Sequence, residues 1–454
     1  MKTSLTYDIL DSGPRNRFMV SGKIVHNSTG EGPQPTNLPK AGPDTIKCGC
    51  GKHYGLHAQA CPFCRLPRPP VAKTVEWNPS VAEQALEAIR FRSLAWVEAV
   101  YGDALLTISG CLRALFDAAP GHDLISTDYN SIEAVGLAMV SGESWRIDVF
   151  RGDGKIYETS AAMMYKVPYP EFAAHKKATG QHHPLRQKGK IGELAFGYQG
   201  WVGAAAAFGM PGTEEEIKKD ILAWRAASPA VEWLWGGQTI GKAAGVYINA
   251  TAPDYKGEVD ERLAPLLRGQ DRWDRGEFYF GVEGKAIWAV LHPGEWWDVA
   301  RLGGTDSGIA FKALHGKLYC RLPNGRVLTY NNVQLMKSDR GEWALSYEGW
   351  NSNPKNGLKG WIRINTWGGR LVENIIQAVC RDVLRACCIC LELAGYPVVL
   401  HTYDEPVSEV PEGFGSVEEY ERVVTEEVIK RCPWAADWPI RAPGGYRAKR
   451  YRKG

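Results

Sequence analysis

His122-Asp123-Leu124-Ile125-Ser126-Thr127 runs into Asp128-Tyr129-Asn130-Ser131-Ile132-Glu133, and Pro397-Val398-Val399-Leu400-His401-Thr402 runs into Tyr403-Asp404-Glu405. Each is a short apolar run, the pattern of a buried strand, and each ends on acids. An isolated carboxylate is costly to bury, whereas two that converge on divalent cations are compensated. Magnesium takes one or two carboxylates and completes its shell with water and phosphate oxygens. Acids at the ends of two strands therefore point to a metal site that performs phosphoryl transfer.

Between these segments lies Arg186-Gln187-Lys188-Gly189-Lys190-Ile191-Gly192-Glu193-Leu194-Ala195-Phe196-Gly197-Tyr198-Gln199-Gly200. Positions 186, 190, 194 and 198 step by four, so on a helix Arg186, Lys190, Leu194 and Tyr198 share one face. Arg186 is suited to fork onto phosphate oxygens, Lys190 to neutralise charge on a leaving pyrophosphate, and Tyr198 to pack against a base or template strand. The stripe fits a nucleoside triphosphate.

In this order and spacing the three segments resemble motifs A, B and C of family A DNA polymerases, in the form found in bacteriophage replication polymerases. Gly368-Gly369-Arg370-Leu371-Val372-Glu373-Asn374-Ile375-Ile376-Gln377, followed by Asp382, resembles the helix these enzymes place before motif C. Gln34-Pro35-Thr36-Asn37-Leu38-Pro39 is similar to their Q-x-x-N-L-P segment. The likeness runs from about Ser28 to the C-terminus.

The resemblance implies an α+β, right-hand architecture: a palm built on an antiparallel sheet that holds both aspartates, and mostly helical fingers that carry motif B. It makes Asp128 and Asp404 ligands of two magnesium ions, one activating the primer 3′-hydroxyl and the other stabilising the leaving group, with Glu405 beside them in the catalytic set. Glu133 matches the glutamate that crowds the sugar 2′ position and favours deoxyribonucleotides, and Gln377 a residue touching the primer-template minor groove. Tyr129 and Leu194 fall with Arg186, Lys190 and Tyr198 in the substrate-binding segments. The implied activity is DNA-directed DNA polymerase, a nucleotidyltransferase, with primer-template DNA and dNTPs as partners. Val135 stands where an arginine is common, Leu194 where many members have an aromatic ring, and Tyr403 where a histidine is usual. These departures bear on nucleotide-analogue selectivity and speed rather than on the reaction. A non-catalytic, zinc-containing DNA-binding replication accessory and a single-subunit RNA polymerase are the alternatives. Retention of both aspartates argues against the first, and Glu133 against the second.

Residues 1–27 end in Gly22-Lys23-Ile24-Val25-His26-Asn27, followed by Ser28. This resembles the C-terminal end of an intein joined to its extein, with Tyr7-Asp8-Ile9 and Phe18-Met19-Val20 similar to the short strands before such a junction. The Asn27 amide would attack its own carbonyl, His26 would polarise that carbonyl, and the Ser28 hydroxyl would accept the upstream acyl chain. An intein also needs an upstream half, so the resemblance implies a split intein. A separate chain is expected to carry the intein N-fragment and the N-terminal polymerase half, including a thumb. Thr29-Gly30-Glu31 departs from the family's T-G-R.

Cys48-Gly49-Cys50 and Cys61-Pro62-Phe63-Cys64 have the paired spacing of a zinc ribbon, with Gly and Pro supplying the knuckle turns. We expect one structural zinc ion, with His53 or His57 able to replace one sulfur, and Lys52, Arg65 and Arg68 as a grip on DNA or a replisome partner. Cys387, Cys388 and Cys390 lie in an apolar helical run and point different ways, as core residues do.

The chain has 454 residues, 44% of them apolar, enough for about three domains with real cores. Its net charge of +3 is slight, so DNA affinity must come from locally arranged Lys and Arg. No apolar run reaches the roughly eighteen residues of a membrane helix, and no secretory signal is present. The expected setting is the cytoplasm of an infected bacterial host, with no membrane partner. The expected order is 1–27 intein fragment, 28–47 start of the polymerase extein, 48–64 zinc-ribbon insertion, 65–144 first palm part with motif A, 145–283 fingers with motif B, and 284–454 second palm part with motif C. Pro79 to Phe116 reads as one or two helices, and Gly284 to Tyr347 as strands beside the palm sheet. Trp296, Trp297, Trp343, Trp350 and Trp361 read as packing residues. The basic run Arg447 to Lys453 reads as a tail that is either solvated or laid along DNA.

Overall fold

Local sequence explains most element ends. Asn78, Ser93 and Asp103 each accept a hydrogen bond from the backbone N–H three residues on, and so start the helices Pro79–Arg90, Leu94–Tyr101 and Ala104–Cys111. Thr213 and Glu216 form a reciprocal capping box on the helix Glu214–Ala227. The computed structural model describes residues 42–68, 74–76, 78–236, 281–302, 304–337, 343–351, 360–402 and 404–452, with the backbones of two strands, Arg17–Val20 and Lys23–His26. It is a mixed fold of helices and antiparallel sheets that divides into two compact units, one of residues 1–130, 383–431 and 441–454, the other of residues 131–382 and 432–440. Among the described residues no helix is long and apolar enough to cross a membrane.

The first unit contains a four-stranded antiparallel sheet in the order Val398–Thr402, Glu405–Pro411, His122–Ser126, Tyr446–Ala448. The strands expected at His122–Thr127 and Pro397–Thr402 are there, each one residue shorter. The basic C-terminal run is neither a free tail nor a loose arm. Tyr446–Ala448 pairs with the motif A strand, and ion pairs join Lys449 to Asp123 at 2.9 Å and Arg450 to Asp117 at 3.0 Å.

This unit also holds a small module. A three-stranded sheet (His53–Gly55, Thr45–Lys47, Thr74–Val75) shares one core with the three capped helices, in which Ile46, Tyr54, Val81, Ala85, Val100 and Tyr101 are buried. The cysteine segment therefore does not pack apart from those helices: a boundary at residue 64 cuts through this core. Three helices replace the expected one or two, because Arg92 and Gly102 take positive φ and Ser93 and Asp103 restart the helix. The strands Arg17–Val20 and Lys23–His26 form an antiparallel hairpin. Tyr7-Asp8-Ile9, Gln34–Pro39, Asn27 and Ser28 lie outside the described residues.

The second unit opens with eight helices from Ile132–Ser141 to Pro229–Trp235. Gly189 lets Leu185–Phe196 lie against Ile156–Tyr165, since a Cβ there would meet the Tyr157 carbonyl oxygen at 2.2 Å. Buried Arg146 ties the bundle together. It pairs with Glu193, donates to the Ser228 hydroxyl at 2.8 Å and lies 4.9 Å from the Trp224 ring.

Beyond the helix Val282–Leu291, a six-stranded antiparallel meander runs Trp297–Ala300, Asp306–Leu314, Lys317–Arg321, Val327–Lys337, Trp343–Asn351, Gly360–Thr366, in chain order across the sheet. Strands are expected from Gly284, but Gly284 to Leu291 is helical and the first strand begins at Trp297; among the described residues the strands form their own sheet, with none hydrogen-bonded to the carboxylate-bearing one. The Pro323-Asn324-Gly325 turn joins two of them, and Arg326 and Asn324 bond to the buried carboxylate of Asp382 at 2.9 and 2.5 Å.

Candidate active site

Pairing register brings the two acid motifs together. Ser126, the last residue of the motif A strand, sits opposite Val407, and Thr402 sits opposite Glu405 across a two-residue turn that contains Asp404. Asp128 lies two residues past Ser126, at the same end of the sheet. The Tyr129 N–H donates to the Asp404 carbonyl oxygen at 3.2 Å, so the two motifs touch through their backbones. Asp128 and Asp404 are both half-buried.

Glu405 plays a different part. It is only 7% exposed, and it accepts hydrogen bonds from the Tyr451 hydroxyl at 2.7 Å and the Ser126 hydroxyl at 3.0 Å. Burial raises its pKa against those bonds, and the negative charge of Asp128 raises it further. Arg113 lies 5.8 Å from the Tyr451 ring, behind this cradle. Glu405 is thus held inside this end of the sheet, while Asp128 and Asp404 are only half-buried. Tyr129 also turns inward: it is buried, and its hydroxyl donates to the Val424 carbonyl at 2.7 Å, so the structure gives it a packing role in place of substrate contact.

Two half-buried carboxylates on adjoining segments are a donor set suited to magnesium, which needs no third protein ligand when phosphate oxygens are available. Among the described residues, only Cys48, Cys50, Cys61 and Cys64 form a group of three or more candidate ligand atoms all within 4.8 Å of one another. Four thiolates about 2.3 Å from a tetrahedral zinc lie about 3.8 Å apart. The observed Cys48–Cys64 and Cys50–Cys61 sulfur separations are 3.5 and 3.9 Å, so the set fits zinc. His53 and His57 are occupied elsewhere, His53 against Thr45 at 3.2 Å and His57 against the Ala99 carbonyl at 3.1 Å. Lys52 pairs with Glu87, and Arg68 donates to the Leu56 carbonyl.

In the second unit the motif B helix spans Leu185–Phe196, so Arg186, Lys190 and Leu194 share its face while Tyr198 lies past its end. Arg186 is held by Glu158 at 2.7 Å and lies 5.3 Å from the Tyr157 ring. Lys190 is half-buried and has no carboxylate partner among the described residues, and Leu194 is exposed. Tyr198 comes to Glu133 because the chain turns after the helix, its hydroxyl 3.4 Å from the carboxylate. Burial and the neighbouring Glu373 raise the pKa of Glu133, and burial with the Glu133 charge holds Tyr198 protonated. Gln377, exposed on the helix Gly368–Leu393, lies 3.5 Å from Glu373 one turn earlier.

Residues not singled out from sequence hold this cluster in place. The Gly368 and Gly369 N–H groups donate to Glu283 and Gln199 at 2.9 and 2.8 Å. A Cβ on Gly369 would meet the Tyr198 carbonyl at 2.2 Å, which explains the paired glycines. Half-buried Glu283 has its pKa pushed up to about 7 by desolvation. Glu373 was signalled by its i−4 relation to Gln377. Tyr451, Ser126, Glu158 and Glu283 had no local signal.

No family model matches this chain. Among solved structures it is similar to the POL domain of Pol1 from M. smegmatis in complex with DNA primer-template and dNTP, with a TM-score of 0.40 and 16% identity over 76% of this chain and 42% of that one. It is 33% identical over 352 residues to the DNA polymerase of Bacillus phage SP02, a match that takes in 77% of this chain and 44% of that polymerase. The chain thus spans under half the length of the curated relative that it matches, and it is a homologue of a phage DNA polymerase.

Proposed function

We propose that this chain is the palm and fingers portion of a family A DNA-directed DNA polymerase. One observation supports it above the others: in a homologue of a phage DNA polymerase, a two-residue hairpin turn carries Asp404 to the end of the strand that delivers Asp128. Asp128 and Asp404 would hold two magnesium ions, which when bound lower the pKa of the primer 3′-hydroxyl and offset charge on the leaving pyrophosphate. Lys190 and Arg186 bind and orient the triphosphate. Glu133, bonded by Tyr198, would crowd the sugar 2′ position and favour deoxyribonucleotides, and Gln377 would touch the minor groove of the primer-template. Glu405 supports the turn. In the chain joined to its N-terminal half, Asp404→Ala should lower primer extension by more than about a thousandfold with little change in thermal stability. Undiminished extension would refute the assignment.

The same reading includes two further parts. Cys48, Cys50, Cys61 and Cys64 hold a structural zinc that completes the module of residues 42–111. Metal analysis is expected to find one zinc per chain, and its removal should unfold that module. A zinc-free chain with an intact module would sink this part. The hairpin ending at His26 is the C-terminal fragment of a split intein. Asn27→Ala is expected to stop release of the leader when the partner chain is added, and unchanged ligation by mass spectrometry excludes it.

A further inference from the structure

The outer face of the six-stranded meander does not carry the tryptophans of a packed core. Trp361 and Trp350 are 64% and 52% exposed, directly opposite each other on neighbouring strands, with ring centroids 6.2 Å apart and planes at 80°. Their sequence reading as packing residues fails, because strand alternation sends Leu345, Leu318, Cys320 and Phe311 to the buried face and these two to the other.

Register extends the row. Asn331 pairs with Glu348, so Thr329, two residues along, shares a row with Trp350. Thr329 pairs with Tyr319, and Tyr319 with Lys312. Lys312, Tyr319, Thr329, Trp350 and Trp361 thus form one line across five strands, about 19 Å long at the usual strand spacing. Acids on this face are engaged: Glu348 with Arg363 at 3.4 Å, Asp298 with Arg321 at 2.9 Å, and Asp306 with the Gly308 N–H. Lys312 and Lys317 have no carboxylate partner among the described residues.

We propose that this face binds single-stranded DNA, with bases stacking on Trp361 and Trp350 and phosphates lying near Lys312 and Lys317. The DNA identity rests on the polymerase reading. Exposed aromatic faces interleaved with unpaired cations are what strand-binding platforms use, and stacking needs no particular sequence. A protein partner fits less well. On the same face the register sets Glu348, Arg363 and Thr329 beside the tryptophan pair, so it lacks the dry apolar surround of an interface centre.

The test is fluorescence anisotropy of the full chain with a labelled thymidine oligonucleotide of about twelve nucleotides and, separately, with a blunt duplex. The double variant Trp350→Ala, Trp361→Ala should lose about tenfold or more in affinity for the single strand. Its affinity for the duplex should stay within about twofold, and the corresponding double Phe variant should recover most of the loss. Unchanged single-strand affinity in the Ala variant overturns the proposal, as does an equal loss on both DNAs. So does an Ala variant that keeps its single-strand affinity but no longer associates with the N-terminal polymerase half, since the face is then a protein dock. Asp404→Ala separates the two readings: it removes primer extension and should leave this anisotropy unchanged. A wild-type chain that binds single strands through its tryptophans yet extends no primer would keep the surface and remove the polymerase.

Discussion

The two larger sheets use the same antiparallel ladder for opposite purposes. In the four-stranded sheet the proposed chemistry is at the strand ends, where Asp128 and Asp404 lie just past the ladder on segments joined by a backbone hydrogen bond. In the six-stranded meander the turn before Val327 is anchored to Asp382, and the broad outer face carries the exposed tryptophans. Strand ends can bring together acids from distant parts of the chain, because register fixes their separation. A sheet face offers length instead of convergence. A reaction centre suits the first and a sequence-tolerant grip the second.

Substitutions can break this contrast in order of size. Asp404→Ala has the largest expected effect, and it should be on rate alone. Asp382→Ala should do the reverse. It leaves Arg326 and the Asn324 amide without their carboxylate and should cost about 3 kcal/mol of stability, read as a lower midpoint in denaturant. A stable Asp382→Ala protein would mean that the meander is anchored by other contacts. Tyr451→Phe should have the smallest effect. Losing the hydroxyl that donates to Glu405 costs about 1 kcal/mol and should raise the magnesium concentration for half-maximal extension severalfold, while the ring remains under Arg113. An unchanged magnesium requirement would show that Glu405 does not brace the aspartates.

The acid-tipped strands were legible because each apolar run is too short for a helix and rich in β-branched residues, Ile125 and Thr127 in one and Val398, Val399 and Thr402 in the other. The motif B helix was legible through its period of four, which failed at Tyr198 because the helix ends at Phe196 and a turn brings the tyrosine to Glu133. The Pro323-Asn324-Gly325 turn was readable from local chemistry alone. Tyr451 was not: its partner Glu405 lies 46 residues away, and the basic residues around it suggest solvent although their counter-ions lie on other strands. The cysteine spacing disclosed a candidate metal set but not the three helices that share its core, since long-range packing has no period to read. Trp350 and Trp361 misled because aromatic content says nothing about which side of a strand it occupies.

The turn that holds Asp404 is bounded by the Thr402–Glu405 pair, so its length is set at two residues. Side chains alternate along a strand, and one inserted residue would slip the register and swap what points inward for what points out. Surface hairpins usually absorb insertions and deletions easily. This one should accept a change of letter at its tip far more readily than a change of count.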